Sequence, residues 1–179
     1  MHKRSGFTLI EVMSSTAILS ILLLGAITVF TTSLLSQSKS RVRRVLKIEG
    51  EQIISTIEFE LKNAQLIEAA TCDGSAQNSI DYVRAGDTTH TTRTIKQNGS
   101  DIQIGPTGSE ENMNSNNVKT PTGQELTFVC EENTANKTKF ITATFALTNA
   151  QAGEINTEVD GNIVESFRTG VSFRNFKAN

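Results

Sequence analysis

Residues 3–35, KRSGFTLIEVMSSTAILSILLLGAITVFTTSLL, decide how the rest of the chain is read. The part from residue 7 to residue 35 exceeds the ~20 residues that a helix rising 1.5 Å per residue needs to cross a ~30 Å hydrocarbon layer. A secretory signal has an apolar region of only 7 to 15 residues before its cleavage site. The longer run here predicts a membrane-spanning helix that stays in the protein. One feature is out of place for a simple anchor. Glu11 lies near the start of the run, and a carboxylate inside a membrane helix costs roughly 2.5–3.5 kcal/mol on insertion scales, so it calls for a partner cation and a function. The structural alternative is that Glu11 rests among lipid headgroups.

The charges around the run are uneven. Lys3 and Arg4 precede it, no charged residue occurs from 12 to 38, and Lys39, Arg41, Arg43, Arg44 and Lys47 follow. Taken alone, the excess of cations after the run places the long C-terminal part in the cytoplasm. The chain as a whole has 179 residues and a formal net charge of −2, which fits about one domain. From residue 48 onward, however, 18 acidic side chains stand against 10 basic ones. That acidic part argues against general phosphate-backbone binding, leaving nucleic acid as a weakly supported partner. Two Pro and a good supply of β-branched residues and Phe argue for a small folded β core over disorder. No repeat of solenoid or propeller length is present.

The stretch Lys3-Arg4-Ser5-Gly6-Phe7-Thr8-Leu9-Ile10-Glu11-Val12-Met13 resembles the class III signal of type IV prepilins and of the pseudopilins of type II secretion. The resemblance implies a cytoplasmic leader, residues 1–6, removed after Gly6 by a membrane prepilin peptidase. It also implies N-methylation of the new terminal Phe7, and retention of the apolar run, 7–37, first in lipid and then at a filament core. It places the head outside the cytoplasm, which overrides the charge count. The chemistry is consistent: Gly6 offers an unhindered backbone to a protease, and Lys3 and Arg4 hold the leader at an anionic membrane surface. After cleavage the Phe7 amine and the Glu11 carboxylate are four residues apart, on one helix face. In filaments of this family the carboxylate pairs with the terminal amine of a neighbouring subunit, so two charges that are costly alone in hydrocarbon neutralise one another. Many major pilins have a Pro in the middle of this helix. Here the stretch reads Leu24-Gly25-Ala26-Ile27-Thr28, and Gly25 weakens a helix by only about 1 kcal/mol relative to Ala.

Residues 38 to about 69 read as an amphipathic continuation of the helix, assigned as 38–70. Val42, Leu46, Gly50, Ile53, Ile57, Leu61 and Ala64 form a stripe near period 3.6 that is expected to face a β-sheet. Glu58 and Lys62 stand four apart in the favourable order. The basic cluster from Lys39 to Lys47 reads as a solvated anchor meeting lipid headgroups, or as a partner for acidic residues of neighbouring subunits. The two helical halves together would extend about 90 Å over roughly 60 residues, matching the ladle shape that the resemblance implies.

Beyond residue 78 the pattern changes to short runs rich in Thr, Ile, Val and Phe, and an extracytoplasmic β-rich head is expected over 71–179. Asn98-Gly99 is expected to turn strand 91–97 into strand 100–104, and Asp160-Gly161 to turn 154–159 into 162–167, both as type I′ hairpins. Further strands are expected at 79–84, 125–130, 139–147 and 171–176. Residues 105–123, GPTGSEENMNSNNVKTPTG, read as a long exposed loop, in the first place simply solvated and in the alternative a contact surface. The expected fold class is α+β, a long N-terminal helix, half in the membrane and half amphipathic, packed on a small antiparallel sheet. Outside the cytoplasm Cys72 and Cys130 are free to form a disulfide. The segments Glu58-Phe59-Glu60-Leu61-Lys62-Asn63-Ala64 and Phe167-Arg168-Thr169-Gly170-Val171-Ser172-Phe173-Arg174-Asn175 are similar, more loosely, to minor pilins and J-type pseudopilins.

No catalytic arrangement stands out. His2 lies in the leader and His90 is a lone imidazole among threonines. The alternating Glu154, Asn156, Glu158 and Asp160 offer oxygen ligands for Ca²⁺ but lack the EF-hand order, and no Gly-rich phosphate loop is present. Neither a cofactor nor a metal is therefore expected. The sequence points to a non-enzymatic filament subunit in the cytoplasmic membrane, then in an extracellular or periplasmic filament, serving pilus assembly, adhesion or motility, DNA uptake or type II secretion. Its expected partners are other pilin or pseudopilin subunits, the prepilin peptidase, the membrane assembly platform and, before assembly, the bilayer. The competing reading is a membrane-anchored receptor or adhesin that never polymerises.

Overall fold

A single helix, α1 (Leu9–Lys62), carries the apolar run and the amphipathic segment. The computed structural model describes residues 8–68, 73–133, 138–150 and 163–173. It divides into two compact units, Met1–Ser40 and Arg41–Asn179. The first unit is helical wherever it is described from Leu9 onward, including the Leu24-Gly25-Ala26-Ile27-Thr28 stretch, where the helix is unbroken.

In the second unit the helix buries Leu46, Gly50, Ile53, Ile57, Glu60 and Leu61. This is the expected 3.6-period stripe, with Val42 and Ala64 half-buried at its ends. The described residues of this unit form ten strands: β1 (Ala64–Glu68), β2 (Asp73–Gln77), β3 (Ser79–Arg84), β4 (Thr92–Asn98), β5 (Asp101–Pro106), β6 (Glu111–Asn112), β7 (Val118–Lys119), β8 (Thr127–Asn133), β9 (Thr138–Asn149) and β10 (Val164–Phe173). They form two antiparallel sheets, ordered β1-β3-β4-β5-β6 and β10-β9-β8-β2, with β7 pairing β9. One core joins the helical stripe to Ile80, Tyr82, Ile95 and Ile102 of the first sheet and to Phe128, Ile141, Phe145 and Val171 of the second. Each such side chain contributes roughly 1.5–3 kcal/mol by leaving water. The α+β architecture is thus the expected one, with two sheets in place of one.

Gly50 allows the closest approach. A Cβ there would lie 2.1 Å from Phe167 Cζ, so the ring sits directly on the helix backbone. The ring also stacks on Phe145, with centroids 5.3 Å apart. On β10, Gly170 is covered in the same manner by Phe140 from β9.

Several local expectations are corrected. The helix stops at Lys62, short of residue 69, because the Asn63 side chain donates to Phe59 O (2.7 Å) and closes the last turn. Asn63 O then accepts from Ala85 N, and residues 64–68 pair with β3 instead of continuing the helix. The β4–β5 turn is centred one residue later than expected, on Gly99-Ser100, with Asn98 opposite Asp101. Gly99 has φ 61° and Ser100 is not left-handed, so the turn has Gly at its first central position, the type II′ choice. The described parts of the expected strands 162–167 and 171–176 fall in one strand, β10, running straight through Gly170.

The segment 105–123 is not an open loop. It holds β6 and β7, and it buries Val118 and Asn114. The Asn114 side chain organises it: its carbonyl accepts from Ile102 N (2.8 Å), and its amide donates to Val118 O (2.6 Å) and Asp101 Oδ1 (2.8 Å). The Asp160-Gly161 hairpin, strand 154–159 and the Glu154–Asp160 oxygen set lie outside the described residues.

Candidate functional site

The site begins where α1 begins. Gly6 and Phe7 lie outside the described residues. Thr8 caps the helix: Glu11 N donates to Thr8 O (3.1 Å) and to Thr8 Oγ1 (3.3 Å). Thr8-Leu9-Ile10-Glu11 therefore has the spacing of a capping box, with an acidic residue at the third helical position. An acid in the first turn is favoured by the partial positive charge of the helix N-terminus. This is a second role for Glu11 that the sequence pattern Thr-x-x-Glu signals and that charge arguments alone overlook. Glu11 is exposed, the only charged residue from position 8 to 38.

The surface beyond it is apolar on all sides. Leu9, Ile10, Ile21, Val29 and Phe30 are 65–79% exposed, far more contiguous apolar area than a water-facing helix tolerates. Its hydroxyls are neutralised internally. Ser14 and Ser15 donate to Glu11 O, Thr16 to Val12 O, Ser20 to Thr16 O, Thr28 to Gly25 O, Thr31 to Ile27 O and Thr32 to Thr28 O. Each polar side chain from Ser14 to Thr32 thus already has a partner without water, the condition for residing in hydrocarbon. The helix is long and apolar enough to cross a membrane.

In the second unit, one buried carboxylate was missed by sequence reasoning. Glu60, 5% exposed, accepts from Tyr82 OH (2.9 Å) and Arg84 Nε (3.1 Å), and Arg84 Nη2 bonds its other oxygen. Arg93 Nε donates to Tyr82 OH at 3.3 Å. Burial, with the adjacent Glu60 carboxylate adding to it, pushes the Tyr82 hydroxyl up to about 12. Glu60 raises the Arg84 guanidinium further. The only sequence sign was that Glu60 falls on the buried stripe between Ile57 and Leu61. The network is fully paired and offers no free acid or base.

Other sequence candidates are placed as follows. Glu58 accepts from Lys62 (2.8 Å) and from the Thr169 hydroxyl, and these bonds hold its carboxyl below the usual range. In the basic cluster, Arg43 lies 3.8 Å from Glu165 and Lys47 lies 4.0 Å from Glu51. His90 is exposed, at a positive φ of 53°. Cys130 is buried in β8, whereas Cys72 lies outside the described residues. Among the described residues no three His, Cys, Asp or Glu side chains gather as a metal site.

Comparison with known proteins agrees with the geometry at the N-terminus. Residues 1–27 match the model of the prokaryotic N-terminal methylation motif. No curated protein and no solved structure matches the chain.

Proposed function

We propose that this chain, which carries a prepilin-type signal of the type IV pilin and pseudopilin kind, is a minor pilin or pseudopilin, a structural subunit of a type IV pilus-like filament. The motif marks a structural subunit, and the apolar helix fits an N-terminally anchored membrane protein. In our reading the leader 1–6 is cut after Gly6 on the cytoplasmic side by prepilin peptidase. Phe7 is N-methylated, and residues 7–37 hold the subunit in the cytoplasmic membrane with its β-rich head outside the cytoplasm. The assembly platform then transfers the subunit into a filament of other pilin or pseudopilin subunits.

The observation that carries this reading is the signal running directly into residues 8–38, exposed throughout, whose one charged side chain is Glu11. Alone in lipid, Glu11 and the Phe7 amine are both costly; paired between subunits they neutralise one another, so docking supplies the cation that the membrane cannot. The internally bonded hydroxyls suit both lipid and a packed helical core. The acidic head and its fully paired polar network support a role in assembly over nucleic-acid capture or catalysis.

The test is the N-terminus of the protein taken from its native cell, read by mass spectrometry. N-methylated Phe7 is the expected result. An intact Met1 would overturn processing and favour the non-polymerising receptor or adhesin.

A further inference from the structure

Asn98-Gly99 is the one Asn-Gly pair in the chain, and the fold sets it at the tip of the β4–β5 hairpin. Asn98 ends β4 opposite Asp101, on the last rung before the turn, and both Asn98 and Gly99 are exposed. Among the described residues the Asn98 side chain has no hydrogen-bond partner and the Gly99 N–H has no acceptor. A Cβ at Gly99 would meet nothing within 4 Å, so the space beside it is open. The groups around the pair are fixed. Gln97 Nε2 donates to Gly99 O (2.8 Å), Gln97 Oε1 accepts from Leu126 N (2.7 Å), and Ser100 O accepts from Thr120 N (2.9 Å). An unpaired amide and an unpaired backbone nitrogen are thus neighbours on an otherwise anchored turn. Asn114 and Asn78, which precede Ser, differ from it. Asn114 is held by Ile102, Asp101 and Val118, and Asn78 is exposed but followed by a residue with a side chain, Ser79.

We propose that Asn98 is a site of spontaneous deamidation in the folded protein. The Gly99 nitrogen gives up its proton to solvent and attacks Asn98 Cγ. The new N–Cγ bond closes a succinimide ring as the Cγ–Nδ2 bond breaks, and the side-chain amide leaves as ammonia. Water then opens the ring. Opening at Cγ gives an aspartate, whereas opening at the Asn98 backbone carbonyl gives an isoaspartate, with one more methylene in the main chain. Glycine favours the attack because a residue without Cβ lets the peptide turn into conformations that other residues resist. Release of a single terminal rung, among the least costly openings of a fold, is enough to bring the nitrogen onto Cγ.

The product changes the head. Asp101 stands opposite, and its Oδ1 already accepts from Lys119 (2.6 Å) and Asn114 (2.8 Å), the bonds that tie those two residues to β5. A carboxylate at position 98 faces this like charge directly across the strand pair, an unfavourable arrangement. An isoaspartate there also lengthens one strand of the hairpin against the other. Folded chains therefore gain negative charge with age at the tip, and the hold of β5 on segment 105–123 weakens.

The full chain in detergent is incubated at mildly alkaline pH, with circular dichroism confirming that it stays folded. It is then digested and read by peptide mass spectrometry, with chromatography separating aspartate from isoaspartate products. Wild type should lose one side-chain amide per chain, at Asn98 and ahead of Asn78, and yield both products. Asn98→Gln should keep its amide at that position. Asn98→Asp, which fixes the charged product, should speed protease cutting within segment 105–123, whereas Asn98→Gln should leave the cutting rate at the wild-type value. Retention of the Asn98 amide in the folded chain would overturn the proposal, and its loss from urea-unfolded chain over the same interval would identify the hairpin as the protecting element. First loss at Asn78 would also overturn it. Equal cutting of Asn98→Asp and Asn98→Gln would refute the effect on segment 105–123.

Discussion

The Tyr82 hydroxyl donates a 2.9 Å hydrogen bond to the Glu60 carboxylate, tying helix α1 to strand β3 inside the core. A buried carboxylate is tolerated only when paired, and here Tyr82 and Arg84 share the work. Tyr82→Phe removes one donor and leaves the rest of the ring in place. It should lower unfolding stability by about 1.5–3 kcal/mol, the range for hydrogen bonds to charged groups. Urea unfolding of the detergent-solubilised chain, followed by β-sheet circular dichroism, measures it. An unchanged midpoint would show that Arg84 alone satisfies Glu60.

Gly50 is required by contact, not by conformation. Ala is the better helix former by roughly 0.5–1 kcal/mol, yet its Cβ would meet the Phe167 ring at 2.1 Å. Gly50→Ala should therefore destabilise the second unit by about 1–3 kcal/mol, as overpacking does. Combining it with Phe167→Leu should cost less than the sum of the two single changes. Additive losses in a double-mutant cycle would contradict the contact.

Four carboxyls are held below their ordinary range by hydrogen bonds, Asp87 among them through Thr89 and Thr91. Lys96 and the Gly108 N–H lower Glu110 from 4.5 to about 2. Lys62 and Thr169 lower Glu58. For Asp101 burial acts upward, but hydrogen bonds from Lys119 and Asn114 outweigh it. A depressed folded-state pKa gives stability that is complete above the unfolded value and is lost as pH falls through the folded one. The melting temperature should thus be level down to about pH 5 and fall between about pH 4.5 and 2. Lys96→Met should shrink that fall; an identical acid profile in the variant would exclude Glu110 as a contributor.

Glu11→Ala removes the proposed partner of the Phe7 amine but leaves the cleavage residues and the apolar run. Membrane insertion and processing should persist while incorporation into filaments beside wild-type subunits falls at least tenfold, on the order of the ~1.4 kcal/mol per decade that a lost charge pair readily exceeds. Quantitative immunoblotting of sheared filaments against membranes reads the ratio. Normal incorporation would rule out amine pairing as the docking interaction.

We also propose a Cys72–Cys130 disulfide. Unreduced protein from the native cell should take up no thiol alkylating reagent after denaturation, and reduction should cost about 2–4 kcal/mol of stability. Two alkylated thiols in the unreduced sample would refute the bridge.

Much of the architecture was legible along the chain because its signals are local and periodic. The apolar run, the stripe from Leu46 to Leu61 and strand β3 depend on alternation or 3.6-residue spacing within a few turns. Other features depended on partners far away in sequence. Residues 64–68 have a composition that suits either state, and pairing with β3 made them a strand. Segment 105–123 looked like solvent-facing loop because its polarity conceals Asn114, a single side chain that substitutes for several backbone contacts. The II′ turn at Gly99-Ser100 was displaced by one residue because cross-strand register, Asn98 opposite Asp101, overrode the Asn-Gly dipeptide.

By itself the sequence determined the N-terminal signal, the uncharged run with its lone Glu11, and the helix-then-strands order, since each is a matter of composition and spacing. Only tertiary structure decided that Glu60 is buried and paired with Tyr82 and Arg84, that Gly50 makes room for Phe167, and that two sheets share one core. Those outcomes arise where residues more than twenty positions apart compete for the same buried volume and the same hydrogen-bond donors, and no local pattern encodes the winner of that competition.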